Sequence, residues 1–116
     1  MSQFTIYHNP RCSKSRNTLA LLREKGVEPD IVLYLETPLT ASQIRGLLAK
    51  LDIDAADLVR RGEAQYQQEG LSKDSSAEDC IAAMAACPRL IERPVVVCGS
   101  KAVLGRPPEN VLDLLA

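Results

Sequence analysis

Tryptophan is absent from this 116-residue chain, and one phenylalanine and three tyrosines bring the aromatic share to only 3%. Any core must therefore be aliphatic, and a hydrophobic content of 46% is enough to build one. The length suits a single domain and is short for two. Net charge is nearly absent as well, at -1, so no global basic field draws the chain to nucleic acid or to an anionic membrane. No run approaches the roughly 20 apolar residues that span a bilayer. The opening Met1-Ser2-Gln3-Phe4-Thr5-Ile6-Tyr7 lacks the basic and apolar regions of a secretion signal, and a cytoplasmic location is expected. Four cysteines are present (Cys12, Cys80, Cys87, Cys98), but they lack the paired spacing of zinc sites. A disulfide framework belongs to secreted chains, so reduced thiols and no bound metal are expected.

What is present is a β-α-β opening. Phe4-Thr5-Ile6-Tyr7 alternates and is rich in β-formers, which predicts a strand. A polar loop, His8-Asn9-Pro10-Arg11-Cys12-Ser13-Lys14, follows and is broken at Pro10. From about Ser15 the apolar spacing of Leu19, Leu21 and Leu22 predicts a helix, with Gly26 placed just past its end for a positive-φ cap. The apolar run Ile31-Val32-Leu33-Tyr34-Leu35 predicts a second strand over 30–35, of the kind covered on both faces in a parallel sheet.

Helices occupy the middle of the chain. Thr40-Ala41-Ser42-Gln43 has capping-box spacing ahead of Ile44, Leu47, Leu48 and Leu51. Shorter pieces are expected near 55–60 and 63–69, the second stopped by Gly70. Ser75-Ser76-Ala77-Glu78 repeats the box before a helix that ends at Pro88. The chain then returns to β with Pro94–Cys98, a Gly99-Ser100 turn and Lys101–Leu104, which together predict a hairpin. Pro108-Glu109 suits the first turn of a last helix through Leu115. The order βαβ…ββα resembles the thioredoxin-like fold: a four-stranded mixed sheet in one domain, 1–116, with a helical insertion at about 40–88.

The loop leaving the first strand delivers Cys12 to a helix N-terminus at the carboxyl end of the sheet, where α/β proteins bind ligands. Unpaired N–H groups and the helix dipole there favour a thiolate and an anion together. A free thiol near pKa 8.5 is only about 3% ionised at neutral pH. A helix terminus contributes roughly 0.3–1 kcal/mol, too little to make the thiolate dominant, so a nearby cation or donor is also required. Arg11, Lys14, Arg16 and His8 are the local candidates, although a lone histidine often serves only local hydrogen bonding. Cys80, Cys87 and Met84 share the apolar face of one predicted helix, and Cys98 ends a Val-rich strand; core packing is expected for all of them. Arg93, before Pro94, and Arg106, after Gly105, stand at turns. Each is either a solvated arginine or a guanidinium fork aimed at an oxyanion.

Ile6-Tyr7-His8-Asn9-Pro10-Arg11-Cys12-Ser13-Lys14-Ser15-Arg16-Asn17-Thr18 resembles the active-site segment of the glutaredoxin-linked arsenate reductase family. The similarity continues through Leu33–Pro38, Leu58-Val59-Arg60-Arg61, Leu90–Val97 and Gly105–Val111, and Arg11 with Cys12-Ser13-Lys14-Ser15 resembles a short branch of that family. The resemblance implies Cys12 as the nucleophile, with His8 helping to hold it as thiolate. It implies that Arg60, Arg93 and Arg106 bind the arsenic oxyanion, with Arg61 as the alternative to Arg60, and that Arg93-Pro94 is a cis peptide. It further implies no bound cofactor, glutathione as co-substrate and glutaredoxin as partner; a monomer is expected.

Rival readings are weaker on the residues. A dithiol oxidoreductase would need C-x-x-C, but Ser15 holds the fourth position, leaving only monothiol, glutathione-dependent exchange. A low-molecular-weight tyrosine phosphatase would need an arginine where Thr18 stands. Relatives of the fold that regulate transcription by binding RNA polymerase carry a C-x-x-C switch, which Ser15 likewise removes.

Overall fold

The computed structural model describes residues 3–115. Two compact units emerge: one formed by the chain up to Thr37 together with the chain from Arg93 onward, the other by Pro38–Glu92.

The first unit carries a four-stranded mixed sheet in the order β2-β1-β3-β4, made of β1 (Phe4–Tyr7), β2 (Asp30–Val32), β3 (Val95–Cys98) and β4 (Lys101–Leu104). β2 runs parallel to β1, while β3 and β4 run antiparallel to their neighbours. This is the thioredoxin-like arrangement. Helix α1 (Ser13–Glu24) links β1 to β2 and ends with Gly26 at φ +83°, the left-handed conformation that glycine adopts without steric cost. Leu19 and Leu22 of α1 pack with Ile6, Val96 and Val111 in an aliphatic core, as the shortage of aromatics requires.

Register places the functional end of this unit. Tyr7 pairs with Val32 and Val95, and Val95 with Leu104. The loop after β1, the residues before β3 and the turn after β4 therefore leave the sheet at the same end. Cys12, Arg93 and Arg106 belong to those three segments.

Three expectations for this unit and its partner need correction. The second strand stops at Val32 rather than reaching residue 35, because the Leu33 carbonyl accepts from both Glu36 and Thr37 N–H at 2.9 Å and turns the chain. It also lies at the sheet edge, with Ile31 41% and Leu35 39% exposed. A continuous apolar run does not distinguish a central strand from an edge strand. The last helix (Pro108–Leu114) is 3₁₀ rather than α, with i→i+3 bonds such as Asn110 N–H to the Pro107 carbonyl at 3.0 Å.

The second unit is helical: α2 (Ala41–Leu51), α3 (Ala55–Leu58), α4 (Ala64–Gln68), α5 (Ala77–Ala86) and a 3₁₀ turn at Pro88–Leu90. α2 and α3 pack on α5, burying Ile44, Leu47, Leu58, Ile81 and Met84. The Thr40–Gln43 capping box forms as expected. The cap of α5 is Ser76, whose hydroxyl accepts from Asp79 N–H at 3.1 Å. The expected Ser75 is one residue off, because its hydroxyl instead accepts from Ser72 N–H at 2.9 Å. Cys80 is buried on α5, where burial and then the adjacent Asp79 push its thiol above the ordinary range, offset in part by Arg61. All four cysteines are free.

Candidate active site

The loop from His8 to Cys12 is fastened by short-range bonds that its residue types dictate. Asn9 Oδ1 accepts from Arg11 N–H at 3.0 Å, the two-residue reach of an Asx turn. The Asn9 carbonyl accepts from Cys12 N–H at 3.0 Å. At its start, His8 N–H bonds the Val32 carbonyl at 2.9 Å, continuing the parallel pairing. Arg16 reaches back from α1, donating through Nη1 to the Pro10 carbonyl at 2.9 Å. Beside this loop, His8, Asn9, Pro10, Arg11, Leu33, Leu35 and Glu36 line an open cleft of about 310 Å³.

Cys12 is the N-cap residue of α1, half-buried, with no side-chain hydrogen bond closing the helix. The first-turn N–H groups are left without a side-chain cap, and the N-cap position puts Cys12 at the positive end of the helix dipole.

His8 is one of only three buried polar residues among those described, with Ser15 and Thr18. Its Nδ1 lies 2.6 Å from Ser15 Oγ, and that same oxygen accepts from Asn9 N–H at 3.0 Å. A fully buried hydroxyl must also place its own proton, since an unmade bond there costs about 1–3 kcal/mol. We assign it to donate to Nδ1, which leaves the imidazole hydrogen on Nε2. The charged form is disfavoured: burial first, and then the positive charges of Arg23 and Arg16, lower the His8 pKa below its ordinary 6.5. The ring is therefore neutral near pH 7, and any help it gives Cys12 there is that of a placed N–H rather than of a positive charge.

Arg93 and Arg106 follow the register to the same sheet end. Both precede prolines in cis peptides, Arg93–Pro94 and Arg106–Pro107. Arg106 Nη1 donates to the Arg93 carbonyl at 3.2 Å, tying the two turns together. The side chain of Arg93 is peculiar, because its Nε and Nη1 are buried and have no hydrogen-bond partner. Buried guanidinium nitrogens without an acceptor are costly, and an oxyanion is the ligand that would relieve them.

Arg60 belongs to the helical unit and is differently placed. Its guanidinium is clamped by Glu63 through Nη1 and by Glu92 through Nε, the latter at 3.2 Å. Its backbone is held by N–H to the Leu90 carbonyl at 2.7 Å, beside the Val59–Ile91 bridge. Arg61 is exposed.

Sequence reasoning missed Ser15 and Asn9 as organisers of the loop. Ser15 drew attention only as a missing second thiol. The Asn9-Pro10 pair carried a usable signal, because that dipeptide favours turn initiation.

The sheet order and the cysteine at the start of the first helix place the chain in the thioredoxin-like fold class. The chain belongs to the ArsC family, whose model matches residues 7–114. It is 52% identical over 115 residues to "Uncharacterized protein YfgD" of Escherichia coli, covering 97% of each chain. It is 44% identical to an arsenate reductase of Haemophilus influenzae, covering 95% of this chain and 97% of the other. Among solved structures, an arsenate reductase from Vibrio cholerae superposes with a TM-score of 0.91 at 44% identity, with 95% of each chain covered.

Proposed function

We propose that this protein is a thiol-dependent arsenate reductase, with Cys12 as nucleophile, His8 as a neutral positioning group, and Arg93 and Arg106 as ligands of the oxyanion. One observation carries the reading within the fold: Arg93 buries two guanidinium nitrogens without an acceptor, at the sheet end where the Cys12 loop emerges. Similarity to arsenate reductases along nearly the whole chain supplies the substrate.

The chemistry is covalent catalysis in two exchanges. The Cys12 thiolate attacks arsenic(V) in dihydrogen arsenate. An arsenic–sulfur bond forms, and one arsenate oxygen, gaining a proton from solvent, leaves as water. Guanidinium donors stabilise the charge on the remaining oxygens. Glutathione, approaching through the cleft beside the loop, then attacks the Cys12 sulfur adduct. A sulfur–sulfur bond forms, the arsenic–sulfur pair passes to arsenic, and arsenite leaves carrying the glutathione proton. Arsenic gains two electrons and the two sulfurs lose them. Glutaredoxin exchanges with the Cys12–glutathione disulfide and returns the free thiol.

The test follows NADPH oxidation with arsenate, glutathione, glutaredoxin and glutathione reductase. Arsenate-dependent turnover is expected from the wild type, none from Cys12→Ser, and none when glutaredoxin is left out. A wild type that never turns over arsenate defeats the substrate assignment. Turnover that persists without glutaredoxin defeats only the partner.

A further inference from the structure

We propose that Thr18 and Gly105 are positioning residues, forming a latch that sets the turns bearing Arg106 and Arg93 against the helix that begins at Cys12. This rests on the reading of those arginines as anion ligands and adds what holds them in place.

Thr18 is fully buried on α1, six residues after Cys12. A phosphatase-type Cys-x5-Arg loop would carry its own anion-binding arginine at that position. Here the position carries a hydroxyl and a methyl that meet the turn bringing arginine from elsewhere. Thr18 Oγ1 is 2.7 Å from the Lys14 carbonyl and 3.3 Å from the Gly105 carbonyl. One hydroxyl proton serves the nearer acceptor first, so the contact with Gly105 is chiefly steric. It is also tight: a Cβ on Gly105 would stand 2.6 Å from Thr18 Oγ1, 2.9 Å from Thr18 Cγ2 and 2.8 Å from Pro94 Cγ.

The arginines hang from this contact on both sides. Gly105 N–H donates to the Pro94 carbonyl at 2.9 Å, which ties it to the residue after Arg93. Arg106 directly follows Gly105, and its guanidinium returns to the Arg93 carbonyl. Asn110 Nδ2 fastens the same turn by donating to the Leu104 and Arg106 carbonyls at 3.0 and 3.2 Å. A methyl group added at Gly105 must push the turn away from α1 or from Pro94. Either movement shifts an arginine relative to Cys12, and displacements on the order of 1 Å are enough to impair such sites.

The experiment measures arsenate protection of Cys12 against iodoacetamide in purified full-length protein, with folding checked by circular dichroism. For Gly105→Ala, half-protection should need about tenfold more arsenate, while the alkylation rate without anion stays at the wild-type value. Thr18→Ala should need roughly threefold more. The double variant should recover part of the Gly105→Ala loss, because Thr18→Ala removes two of the three clashing atoms. If Gly105→Ala fails to fold, Thr18→Ala decides alone. Folded variants protected like the wild type overturn the latch. So does an anion-free rate that changes as much as protection does, because that marks damage to α1 itself. A wild type indifferent to arsenate removes the anion site, and the latch with it.

Discussion

The two units begin their longer helices and hold their arginines differently. In the helical unit, α2 is closed by Thr40 and Gln43 reciprocally and α5 by Ser76, and Arg60 is clamped between Glu63 and Glu92. In the sheet unit, α1 opens on Cys12 with no side-chain cap, and Arg93 buries Nε and Nη1 without an acceptor. In the helical unit these two helix starts and this arginine have partners, although Gln65 Oε1 there is also buried without one. The other unit leaves α1 without a side-chain cap and two buried nitrogens of Arg93 without an acceptor at one sheet end, and the second is a standing cost that folding alone does not justify.

The largest expected effect tests the arginines. Charge-assisted bonds contribute about 1.5–3 kcal/mol each, so Arg93→Ala should weaken arsenate protection of Cys12 by about 10- to 150-fold. Arg60, already bonded to two carboxylates of its own unit, is the contrasting case. Stability should run the other way. Arg60→Ala leaves Glu63 and Glu92 without their shared cation and should lose about 1 kcal/mol, whereas Arg93→Ala removes two buried donors that lack a partner and should be neutral or better. Urea denaturation of the two variants measures this, and equal losses in both would erase the contrast.

Next in size comes the contrast of caps. Ser76→Ala should lose about 1 kcal/mol, the ordinary worth of an N-cap. Cys12→Ser should gain up to about 1 kcal/mol, because serine can accept from the first-turn N–H groups that cysteine leaves open. The variant most damaging to the proposed chemistry is thus expected to be more stable than the wild type, with thermal midpoints as the readout. A destabilised Cys12→Ser would mean that the sulfur already performs the capping.

Much of this was legible from residues alone, for reasons that also explain the rest. Alternation at Phe4–Tyr7, the Thr40–Gln43 box and the Gly99 turn are local signals, and each appears where expected. Edge position is not local: the run Ile31–Leu35 looks buried throughout in sequence, yet only Tyr34 of it is buried in space, because pairing partners decide it. The two serines at 75 and 76 offered equivalent caps, and the choice depended on where the Ser72 N–H went. At the site, Cys12 and the turn arginines stood out by type and neighbours. The pairing of His8 with Ser15 did not, because Ser15 looked like an ordinary helical serine until α1 brought it to the ring.

The smallest expected effect concerns that ring. His8 is the chain's single histidine, so no other imidazole titrates with it. Burial, followed by Arg23 and Arg16, lowers its pKa in the fold below the ordinary 6.5. Between those two values the unfolded chain binds the proton and the native protein does not. Stability therefore holds above about pH 6.5 and declines as pH falls through the interval toward the lowered value. Carboxylates add their own losses only at more acid pH. Chemical denaturation at closely spaced pH values should show this decline in the wild type and a flat response in His8→Gln over the same interval. A wild type that instead gains stability toward acid would mean that the folded ring prefers its charge. His8 would then be a cation beside the Cys12 loop, and the neutral N–H role assigned to it would have to be withdrawn.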